Sequence, residues 1–98
     1  MSKILNCRMA KPDDLDIIYK IEKEIFNQPW TKSSIYNELN KTSNKLNIVA
    51  VINRKIIGYF FSNYFGNEVH ILNFVINTPF QHKGFGKIFL NKIINQHL

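Results

Sequence analysis

This sequence of 98 residues has one cysteine, three prolines, four glycines and only seven acidic side chains, and each scarcity rules something out. The lone Cys7 can close no internal disulfide and supplies no cysteine cluster for a metal, so we expect no metal and read it as a small buried apolar residue. No run approaches the ~20 apolar residues of a membrane span. The opening Met-Ser-Lys-Ile-Leu-Asn has neither the long apolar region nor the cleavage site of a secretory signal, so the expected location is cytoplasmic, away from membranes. No repeats or low-complexity segments occur. With 45% hydrophobic and 13% aromatic residues, a packed core is expected rather than disorder. The length allows one domain, residues 1–98, burying roughly 60–65% of the unfolded chain's surface. Thirteen basic residues against the seven acidic ones leave a net charge of +6, which favours anionic partners. The lysines are scattered and no block of five like charges occurs, so direct nucleic-acid binding is not expected.

Residues 3–8 read as a first strand. Pro12, Asp13 and Asp14 suit the first turn of a helix, whose positive end favours carboxylates. From there Leu15, Ile18, Tyr19, Glu22, Ile25 and Phe26 recur at steps of three and four, one stripe of a helix. Asn27-Gln28-Pro29-Trp30 interrupts it, since proline biases the preceding residue away from helical angles. Thr31 is a good N-cap for a second helix through Asn40, edged by Ile35 and Leu39. After a polar linker over 41–45, residues 47–52 form a buried strand and Asn53-Arg54 a tight turn. Residues 55–64 return as an aromatic strand in which Gly58 marks a bend or bulge. Gly66-Asn67 turns the chain into a fourth strand, 68–76. The last helix follows, with Phe85, Ile88, Phe89 and Ile93 as the face that packs on the sheet and His97 on the surface.

The most informative stretch is Gln81-His82-Lys83-Gly84-Phe85-Gly86-Lys87, between the fourth strand and the last helix. A strand that breaks into a glycine-containing loop and then starts a helix aims free backbone N–H groups at one spot, a ready anion site. Glycines let the backbone approach a bulky phosphate. No G-x-x-x-x-G-K-[ST] string is present. The dinucleotide fingerprint fails too, because Phe89 stands where its third glycine belongs. What remains is Q-x-x-G-x-G after a strand ending in the proline turn Asn77-Thr78-Pro79.

That loop resembles the acetyl-CoA pyrophosphate loop of the GCN5-related N-acetyltransferases (GNAT). The opening strand followed by Ala10, Pro12-Asp13-Asp14-Leu15 and a helix ending Ile21-Glu22 is similar to how many of these enzymes begin, and the hairpin Ala50-Val51 to Ile56-Ile57-Gly58-Tyr59 resembles their second and third strands. Pro29-Trp30-Thr31, with Glu38 in the next helix, resembles the ribosomal-protein-alanine N-acetyltransferase (RimI) branch. Trp30 can equally be a plug in the core, and both roles can hold together. The resemblance implies an α/β fold: a mixed, mostly antiparallel four-strand sheet, two helices after the first strand and one C-terminal helix. It also implies that the last third of the usual fold, with the family's glutamate base and tyrosine acid, has no counterpart here, so the fourth strand would be an unpaired edge open to self-association.

The resemblance further implies acetyl-CoA as co-substrate, with Phe74, Val75 and Ile76 on the pantetheine arm and acetyl group, and His82, Lys83, Gly84, Phe85, Gly86 and Lys87 on the pyrophosphate. Lys83 and Lys87 are also explained as solvated lysines at a helix start. The implied acceptor is the N-terminal alanine of a small-subunit ribosomal protein. An α-amino group, with pKa near 7.7–8, is already about one-third neutral at pH 7.4, whereas a lysine near 10.4 is neutral about once in a thousand. Such an acceptor demands little of a base, and Glu68, with His70 two residues on, is the nearby titratable group that could serve through water. A reading from another class is a non-catalytic remnant, or a basic association module, with the same fold.

Overall fold

A computed structural model describes residues 4–98. Strand β1 (Leu5–Met9) leads through a 3-10 turn (Pro12–Asp14) into α1 (Leu15–Ile25) and then α2 (Lys32–Asn40). Three strands follow, β2 (Ile48–Ile52), β3 (Lys55–Phe65) and β4 (Glu68–Ile76), and a second 3-10 turn (Thr78–Phe80) precedes α3 (Phe85–His97). Lys3, expected to open the first strand, lies outside the described residues. The sheet order is β1-β2-β3-β4 and each pairing is antiparallel, so β4 is an edge with β3 as its strand neighbour.

The hairpins follow from local chemistry. Asn53 and Arg54 have φ of 50° and 67°, the left-handed pair that matches the twist of a two-residue turn. Helix α2 starts where expected, with Thr31 Oγ1 accepting from the Ser34 amide at 3.0 Å. The sheet then separates two apolar layers. Leu5, Ile48, Ile52, Ile57 and Phe60 pack under Phe85, Phe89 and Ile93 of α3. On the other face Val49, Tyr59, Phe61 and Val75 meet Ile18, Ile21, Ile35 and Leu39 of α1 and α2. Ile88 departs from the expected face: it is 42% exposed, because the contact stripe of α3 runs through positions 85, 89 and 93 and leaves Ile88 to one side. Phe26, just past the end of α1, is likewise exposed. Cys7 is half-buried against the α3-side core, and His97 is half-buried rather than on the surface.

Asp14 closes the junction of β1 and α1. Arg8 donates to both its carboxylate oxygens at 2.9 Å, and the Lys11 amide donates at 2.8 Å. Burial alone would raise its pKa, but the bonds from Arg8 and Lys11 and the Arg8 charge outweigh this and hold it below its ordinary value. A pKa lower in the folded than in the unfolded state means that the ionised form stabilises the fold. That contribution is complete above the unfolded value of ~3.9 and is lost as pH falls through the folded one. Asp14→Asn should therefore cost about 2 kcal/mol at pH 7. In urea unfolding, the gap between the variant and the wild-type chain should close only below the usual carboxylate range.

Candidate functional site

The site forms where β4 ends and α3 begins. Two irregularities shape the approach. In the β2–β3 pairing Ala50 faces Gly58 and Val51 faces Ile56, leaving Ile57 as an extra residue. In the β3–β4 pairing Phe61 faces Asn73 and Ser62 faces Ile71, leaving Leu72 as an extra residue on the edge strand. Beyond this bulge the side chains divide between the faces. Phe74 lies edge-on to Phe60 and packs on Phe89 of α3, with ring centroids 5.7 Å apart in the latter pair. Val75 is buried on the α1–α2 side, and Ile76 packs against the α3-side core. What these three can present along a common line is the backbone of an edge strand.

The connection to α3 is tied down at both ends. The Asn77 amide donates to the Ile57 carbonyl at 2.7 Å, and Asn77 Oδ1 accepts from the Thr78 amide at 2.9 Å. Gln81 Nε2 donates to the Ile76 carbonyl at 2.8 Å, which pins the start of the loop to the last residue of β4. His82 (φ 60°) and Gly84 (φ 85°) then take left-handed conformations, and Gly84 is the N-cap of α3. A Cβ added to Gly84 would meet nothing within 4 Å, so the ground in front of the helix is open. A Cβ on Gly86 would sit 3.8 Å from Cγ1 of Ile76, so the first turn of α3 lies against the end of β4. Ile76, Phe80, Gln81, His82 and Gly86 line a cavity of ≈ 310 Å³ there. The first turn of α3 carries no acidic residue, and Lys83 and Lys87 are exposed beside it. A helix leaves its first amide groups without intrahelical acceptors, and its dipole favours an anion at that end. The Phe85 side chain is buried, its ring tilted against that of Phe80 with centroids 6.0 Å apart, so its backbone amide is what it can offer a ligand.

Glu68 and His70 are elsewhere. Both lie at the start of β4, opposite Phe65 and Asn63, with exposures of 77% and 54% and 4.0 Å between Oε2 and Nε2. They share the sheet face of Asn73. The β3 partners of Glu68 and Asn73, Phe65 and Phe61, put Glu68 about 13 Å along the sheet from Asn73, at ~3.3 Å per residue.

The feature that sequence reasoning missed is Glu22. Its place in the apolar stripe of α1 was evident, but not what it holds. It is 2% exposed and accepts from the Trp30 amide at 3.0 Å, from Asn73 Nδ2 at 3.0 Å and from the Tyr59 hydroxyl. Burial first, and then the Glu22 carboxylate, raise the Tyr59 pKa far above its ordinary value, so the hydroxyl remains a donor. Trp30 packs 5.8 Å from Phe61 and borders the α1–α2 core, so the core-plug role is present. It also lines a cavity of ≈ 540 Å³ with Pro29, Thr31, Ser34, Asn37, Glu38 and Lys41. A carboxylate at a stripe position of an amphipathic helix was the available signal.

Residues 15–98 match the sequence profile described as the acetyltransferase (GNAT) family. The chain belongs to the GNAT family. It is 31% identical over 83 residues to the ribosomal protein bS18-alanine N-acetyltransferase of Haemophilus influenzae, an alignment covering 85% of this chain and 56% of that protein. Among solved structures, the ribosomal-protein-S18-alanine N-acetyltransferase from Escherichia coli superposes with a TM-score of 0.83 at 21% identity, over 94% of this chain and 58% of the other. The PaiA N-acetyltransferase from Thermoplasma acidophilum, solved in complex with coenzyme A, superposes with a TM-score of 0.78 at 17% identity, over 97% and 71%. These likenesses establish the GNAT fold that the sequence motifs imply. This GNAT chain spans little more than half the length of the ribosomal-protein relatives. Among the described residues, no helix is long and apolar enough to cross a membrane.

Proposed function

We propose that residues 1–98 form an acetyl-transfer domain that takes acetyl-CoA as donor and an N-terminal α-amino group as acceptor, of the kind presented by the alanine of a small-subunit ribosomal protein. The observation that carries the donor half is the open loop in front of α3. Its left-handed Gly84, its unobstructed ground and its lysine-flanked helix start fit a pyrophosphate. In this reading the amides and side chains of His82, Lys83, Gly84, Phe85, Gly86 and Lys87 hold the phosphates. The edge backbone of Phe74, Val75 and Ile76 takes the amide-bearing arm as a strand would be taken. Acetyl-CoA supplies an acyl group activated as a thioester. The chain's contribution is to bind and orient it, with the acceptor approaching from the Trp30 side, where the ≈ 540 Å³ cavity opens. The identity to the Haemophilus influenzae enzyme supports a peptide N-terminus over a small amine.

Proton removal falls to Glu68 through water, as an exposed carboxylate on the acceptor face of β4. Calorimetric titration of acetyl-CoA and mass analysis of an Ala-Arg peptide after incubation test the proposal. Micromolar one-to-one binding and a gain of roughly 42 Da, the mass of one acetyl group, are expected. Glu68→Gln should lower kcat several-fold and leave the KM for acetyl-CoA unchanged, since its distance from the loop removes it from donor binding. A folded chain that binds acetyl-CoA but transfers nothing would favour a non-catalytic module instead. The motivating observation for that second reading is the exposed β4 edge, with Ile71, Leu72 and Phe74 in the open.

A further inference from the structure

A carboxylate at the centre of an apolar helix face needs a reason. An isolated buried charge is costly, and an apolar residue of similar size there is often neutral or stabilising. Among the described residues Glu22 has no cationic partner to explain it. What it has instead is three donors from three separate elements: the Trp30 amide between α1 and α2, the Tyr59 hydroxyl on β3, and the Asn73 amide group on β4. Asn73 is the residue immediately after the bulged Leu72, where the pairing of β4 with β3 resumes in a shifted register and begins the stretch that ends at the loop. Trp30 is among the residues that line the cavity between the Pro29–Thr31 turn and α2.

We infer that Glu22 is a positioning residue: its carboxylate fixes the bulge of β4 and the Pro29–Trp30 turn to one point, and so sets the spacing between the donor strand and the acceptor side of the site. This rests on the acetyl-transfer reading above and adds a residue to it. The chemistry explains why glutamate is used. A single ionised carboxyl accepts from all three donors and donates to none, whereas a glutamine of the same size has one accepting oxygen and turns an NH2 group toward a neighbour that is itself a donor. Tyr59 and Asn73 share Oε1 while Trp30 takes Oε2, so Glu22→Gln can keep the bond to the bulge and lose only the Trp30 one, whereas Glu22→Leu removes all three at similar size and releases both the bulge and the turn. Asn73→Ala removes one strut from a partly exposed position and leaves the core untouched.

The test is a double-mutant cycle read by acetyl-CoA affinity, with backbone amide exchange measured on the same four proteins. Glu22→Leu and Asn73→Ala should each weaken binding about tenfold, and the double variant little further, because both remove the strut to the bulge. Exchange should quicken at Trp30 and at Leu72 to Phe74 while the amides of β2 stay protected. A merely structural Glu22 would instead lower the melting temperature and speed exchange throughout the core. The folded fraction would then keep wild-type affinity, and that result overturns the proposal, as does strict additivity of the two substitutions. If the wild-type chain binds no acetyl-CoA, the acetyl-transfer reading fails on its own. Exchange then decides for Glu22: unchanged rates at Trp30 and Leu72 to Phe74 in Glu22→Leu overturn its positioning role, and selective quickening there supports it.

Discussion

Replacing Gly84 by glutamate should weaken acetyl-CoA binding at least a hundredfold, a loss of about 2.7 kcal/mol. Two effects combine at this position and can be separated. The first is backbone strain: Gly84 has φ of 85°, and a residue with a Cβ there costs about 1–2 kcal/mol of stability. The second is charge. The new side chain meets no atom within 4 Å of its Cβ, so it is free to swing over the start of α3. Its carboxylate then occupies the ground where the phosphates would lie and satisfies the same amides and dipole, as an anion of the chain's own. Gly84→Ala shares the strain without the charge, and Gly84→Asn reduces the strain because asparagine tolerates left-handed angles. Calorimetry on all three should find binding weakened modestly in the alanine variant, nearly retained with asparagine and abolished with glutamate. Wild-type affinity in the glutamate variant would mean that the loop is an ordinary turn.

The residues that announced themselves in the sequence were those whose backbone needs are local. Asn53-Arg54, Gly66, Thr31 and the Gln81-to-Gly86 loop each satisfy a turn or cap within a few positions, and their structures follow from that chemistry. The GNAT fold was legible because those local signals occur in a fixed order along nearly the whole chain. The bulge on β4 was not legible in its residues, since nothing within Glu68 to Ile76 marks Leu72 as the extra one. What Glu22 holds was hidden for a different reason. Its donors lie 8, 37 and 51 positions away, and no window of helical periodicity contains them. The face of α3 was overestimated because spacing alone could not say that the contact stripe would pass Ile88 by. Contacts that close over long sequence separations are set by the packed sheet, and composition does not record them.

Gly58→Ala should destabilise the chain by at least about 3 kcal/mol, a large share of the ~5–15 kcal/mol that holds a domain together. The reason is a single close approach. A Cβ at this buried position would lie 2.3 Å from the carbonyl oxygen of Val75 and 2.9 Å from Cδ1 of Ile76. The second neighbour is the end of a side chain and can rotate, but the first is backbone in the paired strand. Relieving it requires β4 to move away from β3 across the Gly58–Ile76 and Tyr59–Val75 pairs. That displacement reaches the site directly. Ile76 carries the carbonyl that anchors Gln81, and Asn77 is held by the Ile57 carbonyl next to Gly58. Such molecules as still fold should therefore also bind acetyl-CoA more weakly, so that stability and affinity fall together from a substitution of one methyl group. Gly66→Ala is the control: its φ of 58° carries the left-handed strain, but its Cβ would meet nothing within 4 Å. It should cost only about 1 kcal/mol and leave binding unchanged. A wild-type urea midpoint for Gly58→Ala would show that β3 and β4 do not approach this closely, and would remove the reason for a glycine in the middle of an aromatic strand.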